Sequence, residues 1–245
     1  MKLRSVVRYM IIPLVLGLSG TAYAYANIFR LALIDHSDFR EFDGNLYLSG
    51  TLSNEAEHNV ISLLEAAKER ITEHYGLSTA QPVVIVLNNQ EEQKDYGLHD
   101  SPGKLFIAPW NNYLLLNYQV MNIDVTAHEL IHAEVVSRVG YFKRQTKIPT
   151  WFDEGAAMQV DHRPRYVLTD AIDQSEFDRV IRLNTPSKFW SSDKNQNIQN
   201  YRSAKSAVFE VLRNSNDDLY AMLAMIRKGE ESVLVHGADK ANKRQ

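Results

Sequence analysis

The chain has 245 residues, 44% of them hydrophobic and 23% charged, with a formal net charge of -3; this suits one sizeable globular domain or at most two small ones. It contains no cysteine, which excludes disulfides, thiol catalysis, a lipid-modified N-terminal cysteine and cysteine-ligated zinc, so any metal must be held by histidine and carboxylate. No basic stripe or RNA-reading motif is present, and nucleic acid is not an expected partner.

In chain order, the first feature is an export signal. Lys2, Arg4 and Arg8 precede a short apolar run, Met10 to Leu18, broken by Pro13. Ala22-Tyr23-Ala24 and Ala24-Tyr25-Ala26 then form two overlapping small-x-small cleavage patterns. Residues 1–26 therefore read as a secretory signal peptide. An uncleaved membrane anchor is the alternative, because Tyr9 to Phe29 is 21 residues without a charge, long enough to span a bilayer. In both versions the positive charges precede the apolar run, which places the domain outside the cytoplasm, periplasmic or tethered at the outer face of the membrane. Residues 27–44 lack a clean period and read as a connector.

Asn45-Leu46-Tyr47-Leu48 reads as a short strand. Ser53 or Asn54 caps a helix running to about Tyr75, with Gly76 as its terminator. Val60, Leu63, Leu64, Ala67 and Ile71 recur at helical spacing, so one face of that helix is buried. Pro82 opens Val83 to Leu87, a continuous apolar run suited to a strand covered on both faces. Gln90 to Asp100 is charged, a loop or short surface helix. Leu105 to Ala108 and Tyr113 to Leu116 flank Pro109-Trp110-Asn111-Asn112 in a hairpin-like arrangement.

The second half is mostly helical. Asn122 or Asp124 caps a helix that ends near Gly140, residues 141–148 form a surface loop, and a further helix opens after Pro149. Others cover about Ala171 to Leu183, Tyr201 to Arg213 and Asp217 to Arg227. Ser191 to Asn200, rich in Asn, Gln and Ser, reads as a flexible loop. No repeat or linker interrupts residues 45–229, so they form one α+β domain, followed by a tail over 230–245.

The helix after Asn122 carries Thr126-Ala127-His128-Glu129-Leu130-Ile131-His132. Residues four apart share a helix face, so His128 and His132 can reach one cation. Neutral imidazoles suit zinc, and Glu129, one step round the helix, is placed to act on a water at the metal. A third ligand is sought downstream, in Ile148-Pro149-Thr150-Trp151-Phe152-Asp153-Glu154-Gly155-Ala156-Ala157. Thr150 and Asp153 match a capping box, which starts a helix at Trp151, gives Asp153 a structural task and leaves Glu154 free. The small residues at 155–157 permit the close helix approach that would bring Glu154 to the two imidazoles.

These residues resemble a known family. His128-Glu129-Leu130-Ile131-His132, followed 22 positions later by Glu154, is similar to the gluzincin metallopeptidases. The nearest likeness is to the peptidase MA-like group related to thermolysin and the zinc aminopeptidases. The resemblance is specific over Thr126 to Val160 and looser to about Gly229; before Gln119 it extends only to the order of elements. It implies a zincin-like fold, with a small twisted β-sheet lobe, an active-site helix beneath it and a helical C-terminal lobe closing the cleft. It also implies one Zn2+ on His128, His132 and Glu154, with Glu129 as general base. A metzincin is excluded, because Val135 and Arg138 stand where its glycine and third histidine would be. The thermolysin branch often carries an aspartate where this chain has Met158, which leaves Asp161 as the nearest acidic candidate to orient His128 or His132.

Tyr201 opens a segment similar to the aminopeptidase Tyr-x-Lys-Gly, with Ser203 and Ala204 in place of the Lys and Gly. It is the candidate to stabilise the oxyanion, ahead of His162, which reads as a surface histidine. Tyr113 to Asn117, just before the motif helix, is the candidate edge strand for a substrate adding by β-pairing; no exopeptidase signature precedes the motif. The expected function is a zinc-dependent peptidase acting on peptide or protein substrates. A non-catalytic domain binding a peptide or partner through the same cleft is the alternative. A purely structural metal would need a closed fourth position, and no further His or Cys lies at suitable spacing.

Overall fold

The computed structural model describes residues 27–167, 172–214 and 218–230. The expected signal peptide or anchor at 1–26 and the tail beyond Glu230 lie outside the described residues. So do the ends of two expected helices, at Ala171 and Asp217. Among the described residues no helix is long and apolar enough to cross a membrane.

The architecture is α+β, built on one mixed five-stranded sheet. Its strands are β1 (Arg40–Glu41), β2 (Leu46–Leu48), β3 (Val83–Leu87), β4 (Gly103–Ile107) and β5 (Asn112–Asn117), in spatial order β1-β2-β3-β5-β4. The three central strands are parallel, and the two outer ones run antiparallel to their neighbours. The hairpin expected around Pro109 is β4–β5, with Leu105 opposite Leu114 and Phe106 opposite Tyr113.

Alternation along the strands divides the core in two. Leu46, Leu48, Val84, Val86, Leu114 and Leu116 face the main helices, while Tyr47, Val83, Ile85, Leu87, Tyr113 and Leu115 face the other side. β3 is thus covered on both faces, as its unbroken apolar run predicts. Cover on the second face comes partly from residues 27–44, which correct their reading as a connector. This stretch is helical over 27–32, contributes β1, and buries Leu31 and Ile34 against the sheet. A single-sided sheet would leave that second row of side chains in water, so the segment folds onto it.

On the main face, α1 (Asn54–Tyr75) starts where Ser53 accepts the Ala56 N–H and ends at Gly76, in agreement with the caps read from sequence. The charged stretch after β3 forms α2 (Gln90–Tyr96). The motif helix, α3 (Ile123–Val139), is capped by Asn122 through Val125 N–H at 3.0 Å. It is buried on nearly every side, the pattern of a helix at the centre of a domain.

Three expectations for the second half are corrected. Residues 141–147 are helical, forming α4 (Tyr141–Lys147), where a loop was expected. Gly140, at φ 87°, turns the chain, and its carbonyl accepts the Arg144 N–H that starts the new helix. α4 buries none of its residues, so no apolar period announces it. Next, α5 (Thr150–Gln159) carries no side-chain cap. Its first N–H groups, on Thr150 and Trp151, donate instead to the backbone carbonyls of Asn184 and Leu183. The Thr150–Asp153 box is therefore not formed, and Asp153 is released for another task. After α6 (Gln174–Val180) and the single turn α7 (Pro186–Phe189), α8 (Lys194–Arg213) begins within the expected Ser191–Asn200 loop. Asp193 caps it, and Asn200 donates to the Phe189 carbonyl at 2.6 Å. Tyr201 consequently sits about two turns into a helix, rather than at its start. α9 (Leu219–Lys228) closes the helical layer.

The small residues of α5 serve its packing on α8. A Cβ on Gly155 would lie 2.4 Å from the Ala204 carbonyl oxygen and 2.5 Å from Val208 Cγ2. Backbone cannot yield as a flexible side chain can, so Gly155→Ala should lower stability by about 2–3 kcal/mol. The expected readout is a lower urea midpoint at unchanged m-value; an unaltered midpoint would show that the two helices separate freely.

Glu176 ties α6 to α8 through Ser203 and Gln199 and pairs with Arg179 on its own helix. The Arg179 hydrogen bond, opposed by burial and helped by Ser203 and Gln199, holds the Glu176 carboxyl down to about 2. Its folded value lies below its unfolded one, so the stabilisation is complete above about pH 4.5 and is lost as pH falls towards 2. The Tm difference between wild type and Glu176→Gln should accordingly be present at pH 6 and shrink as the pH drops through this window.

Candidate metal centre

α3 and α5 cross so that three donors meet. His128 Nε2 lies 3.2 Å from His132 Nε2, and Glu154 Oε2 lies 3.4 Å and 3.6 Å from the two nitrogens. All three residues are buried, and their ligand atoms are close enough to hold one metal ion. The i, i+4 spacing on one helix face brings the imidazoles together. The carboxylate arrives because Gly155, beside it, seats α5 against α8 while the other side of α5 packs on α3.

Behind each histidine stands an aspartate held by an arginine. Asp153 Oδ2 is 3.0 Å from His132 Nδ1, and Arg144 donates to the same oxygen. Asp161 Oδ2 is 3.7 Å from His128 Nδ1, and Arg163 clamps both Asp161 oxygens. Asp161, the acidic candidate read from the sequence, thus lies beside His128 without a hydrogen bond to its Nδ1. The capping task expected of Asp153 is corrected: its carboxylate faces His132 across two helices instead. Its only legible sign was its position immediately before Glu154. Arg144 and Arg163 gave none.

The electrostatics of this cluster favour a cation. Burial would lower the His132 value, but Asp153 and Glu154 outweigh it and hold the imidazole well above its ordinary range. Burial pushes Glu154 up, and the two histidines overcome this and keep it strongly ionised. Asp153 is likewise pushed up by burial, and His132 and Arg144 keep it ionised. Two buried carboxylates, Asp153 and Glu154, thus bring negative charge to the two imidazoles, the charge a cation held there would need.

A cleft of about 330 Å3 opens onto these donors, lined also by Glu129, Tyr201, Trp190 and Arg144. Glu129 Oε2 accepts the Leu105 N–H of β4 at 2.9 Å. That strand comes close because position 103 is glycine: a Cβ there would lie 2.9 Å from Val125 Cγ1 and 3.1 Å from Glu129 Cγ. The edge strand at the cleft is therefore β4. β5, with Tyr113 to Asn117, pairs on both sides with β3 and β4 and offers no free edge, which corrects the expectation for β-pairing. The two strands of a hairpin cannot be told apart as edge and interior until a third strand chooses one of them.

The Tyr201 ring centre is 6.2 Å from that of His128, and its hydroxyl accepts the Trp190 Nε1–H at 3.0 Å. Burial first, then Glu154, raises the phenol well above its ordinary value, so it keeps a proton to donate. His162 is exposed, away from the donors, with its backbone N–H on Asp124.

The chain matches no protein-family model, no curated protein and no solved structure. The site therefore stands on its geometry. If Asp153 sets the His132 ring, Asp153→Asn should weaken metal binding roughly 10–100-fold, measured by competition with a calibrated chelator. Full affinity in that variant would reduce Asp153 to a partner of Arg144 alone.

Proposed function

We propose that this protein is a zinc-dependent peptidase with a zincin-like fold of gluzincin type, working outside the cytoplasm. The observation that carries the proposal is the meeting of His128, His132 and Glu154 beside Glu129 in an open cleft. Two imidazole nitrogens and one carboxylate oxygen form a donor set suited to catalytic zinc, with a position left for substrate. Bonds of zinc length in tetrahedral array space their donors by roughly 3.3–3.5 Å; the spacings here are 3.2, 3.4 and 3.6 Å.

Zinc, when bound, supplies a Lewis acid that polarises the scissile carbonyl and acidifies water. The chain's own groups do the rest in this reading. Glu129 takes the proton of the attacking water and delivers it to the leaving amine. The Leu105 N–H holds that carboxylate at the mouth of the cleft. Tyr201, fixed by Trp190 and still protonated, donates to the oxygen on which negative charge grows. An extended peptide lies along β4, the strand with the free edge. The apolar run at the N-terminus delivers the domain across the membrane or tethers it there.

Elemental analysis of purified protein should find about one zinc per chain; iron in its place would redirect the reading to oxidative chemistry. Glu129→Ala should keep its metal and lose peptide hydrolysis by about 10²–10⁴-fold, while His132→Ala should lose the metal. Tyr201→Phe should lower kcat by roughly 10²–10³-fold with little change in KM. Undiminished turnover in Glu129→Ala would end the mechanism.

A further inference from the structure

We infer that Arg144 makes the cleft a receptor for a substrate carboxylate, so that the substrates are short peptides carrying a negative charge beside the scissile bond. This rests on the peptidase reading and narrows it. Arg144 and His132 approach the same atom, Oδ2 of Asp153, which sets the guanidinium one side chain away from the metal ligands. It lines the cleft together with His128, His132 and Glu154. Among the described residues its guanidinium donates to Asp153 alone, from Nη2, and its Nε–H is buried without an acceptor. A guanidinium anchored at Nη2, with donors to spare, has a fork that matches a carboxylate.

Charge and size agree with this occupant. The two acidic groups on the cleft wall already have tasks: Glu154 faces both histidines, and Glu129 holds the Leu105 N–H. The second cation along the wall, Lys104, has its ammonium 4.3 Å from the centre of the Phe106 ring rather than on a carboxylate. A bound divalent cation would add further positive charge to the same space. At about 330 Å3 the cleft is near the lower limit for a ligand site, so a peptide of a few residues fills it and brings its terminus or an adjacent side chain to Arg144. The carboxylate can belong to a free C-terminus or to an Asp or Glu side chain; both present the same planar pair of oxygens.

The test is one peptide series on the metal-loaded protein. Each short peptide is made with a free or amidated C-terminus and with Glu or Gln next to the scissile bond. A carboxylate at the correct place should raise kcat/KM by roughly 10–100-fold, the worth of a charge-assisted hydrogen bond. The arm showing the gain identifies terminus or side chain. Arg144→Met should remove the preference, and Arg144→Lys should retain part of it. Equal rates for all four wild-type peptides would overturn the proposal. So would an Arg144→Met variant in which every peptide slows by the same factor, since that is the signature of a residue that only positions Asp153. If no peptide is cleaved, the peptidase reading has failed. Calorimetric binding of the same peptides to metal-loaded Glu129→Gln then still decides the carboxylate preference: tighter binding of the acidic members supports it, and equal binding ends it.

Discussion

Placing two imidazoles and a carboxylate at van der Waals distance inside a protein is costly unless each polar atom is compensated. Desolvation acts against every charge in the cluster, and the surroundings answer it with alternating signs: arginine, aspartate, histidine, glutamate. Each of the two histidines has an aspartate near its ring, 3.0 Å away for His132 and 3.7 Å for His128, and an arginine on that aspartate. The two supports come from different places, Arg144 from the short helix after α3 and Arg163 from the turn after α5. The geometry of the donors therefore depends on how four segments pack, the two helices that carry the donors and the two that carry Arg144 and Arg163.

That packing depends on α5. It is buried along its whole length and lies between the motif helix and α8. Gly155 sets the closeness of one contact, and carbonyls from 183 and 184 replace the side-chain cap at its start. The second substitution has a functional consequence. Because backbone carbonyls satisfy the first N–H groups, Asp153 can turn to His132 and Arg144 instead of folding back on its own helix. A residue type known for capping is thereby freed for electrostatics at the site.

The sheet contributes a wall and an edge. Its two-sided core holds β3 and β5 rigidly in the middle, with residues 27–44 on one face and the helices on the other. This leaves β4 as the strand beside the cleft, close enough through Gly103 for its Leu105 N–H to meet Glu129. The proposed base is thus tied to the same strand along which an extended substrate would lie.

The sequence alone determined the local and periodic features: the caps and span of α1, the buried β3, the β4–β5 hairpin, and the helix carrying His128, Glu129 and His132. Glu154 was also legible, because its neighbours at 155–157 are small and its spacing from the motif is informative. These depend on residues near one another in the chain, where spacing translates directly into direction. Tertiary structure alone decided which strand is the edge, how α5 is capped, that α4 is helical, and that Asp153, Arg144 and Arg163 stand behind the histidines. Each of those is a contact between segments remote in sequence or a helix with no apolar period. No pattern in a single strand of text encodes which remote partner will supply a carbonyl, a carboxylate or a charge.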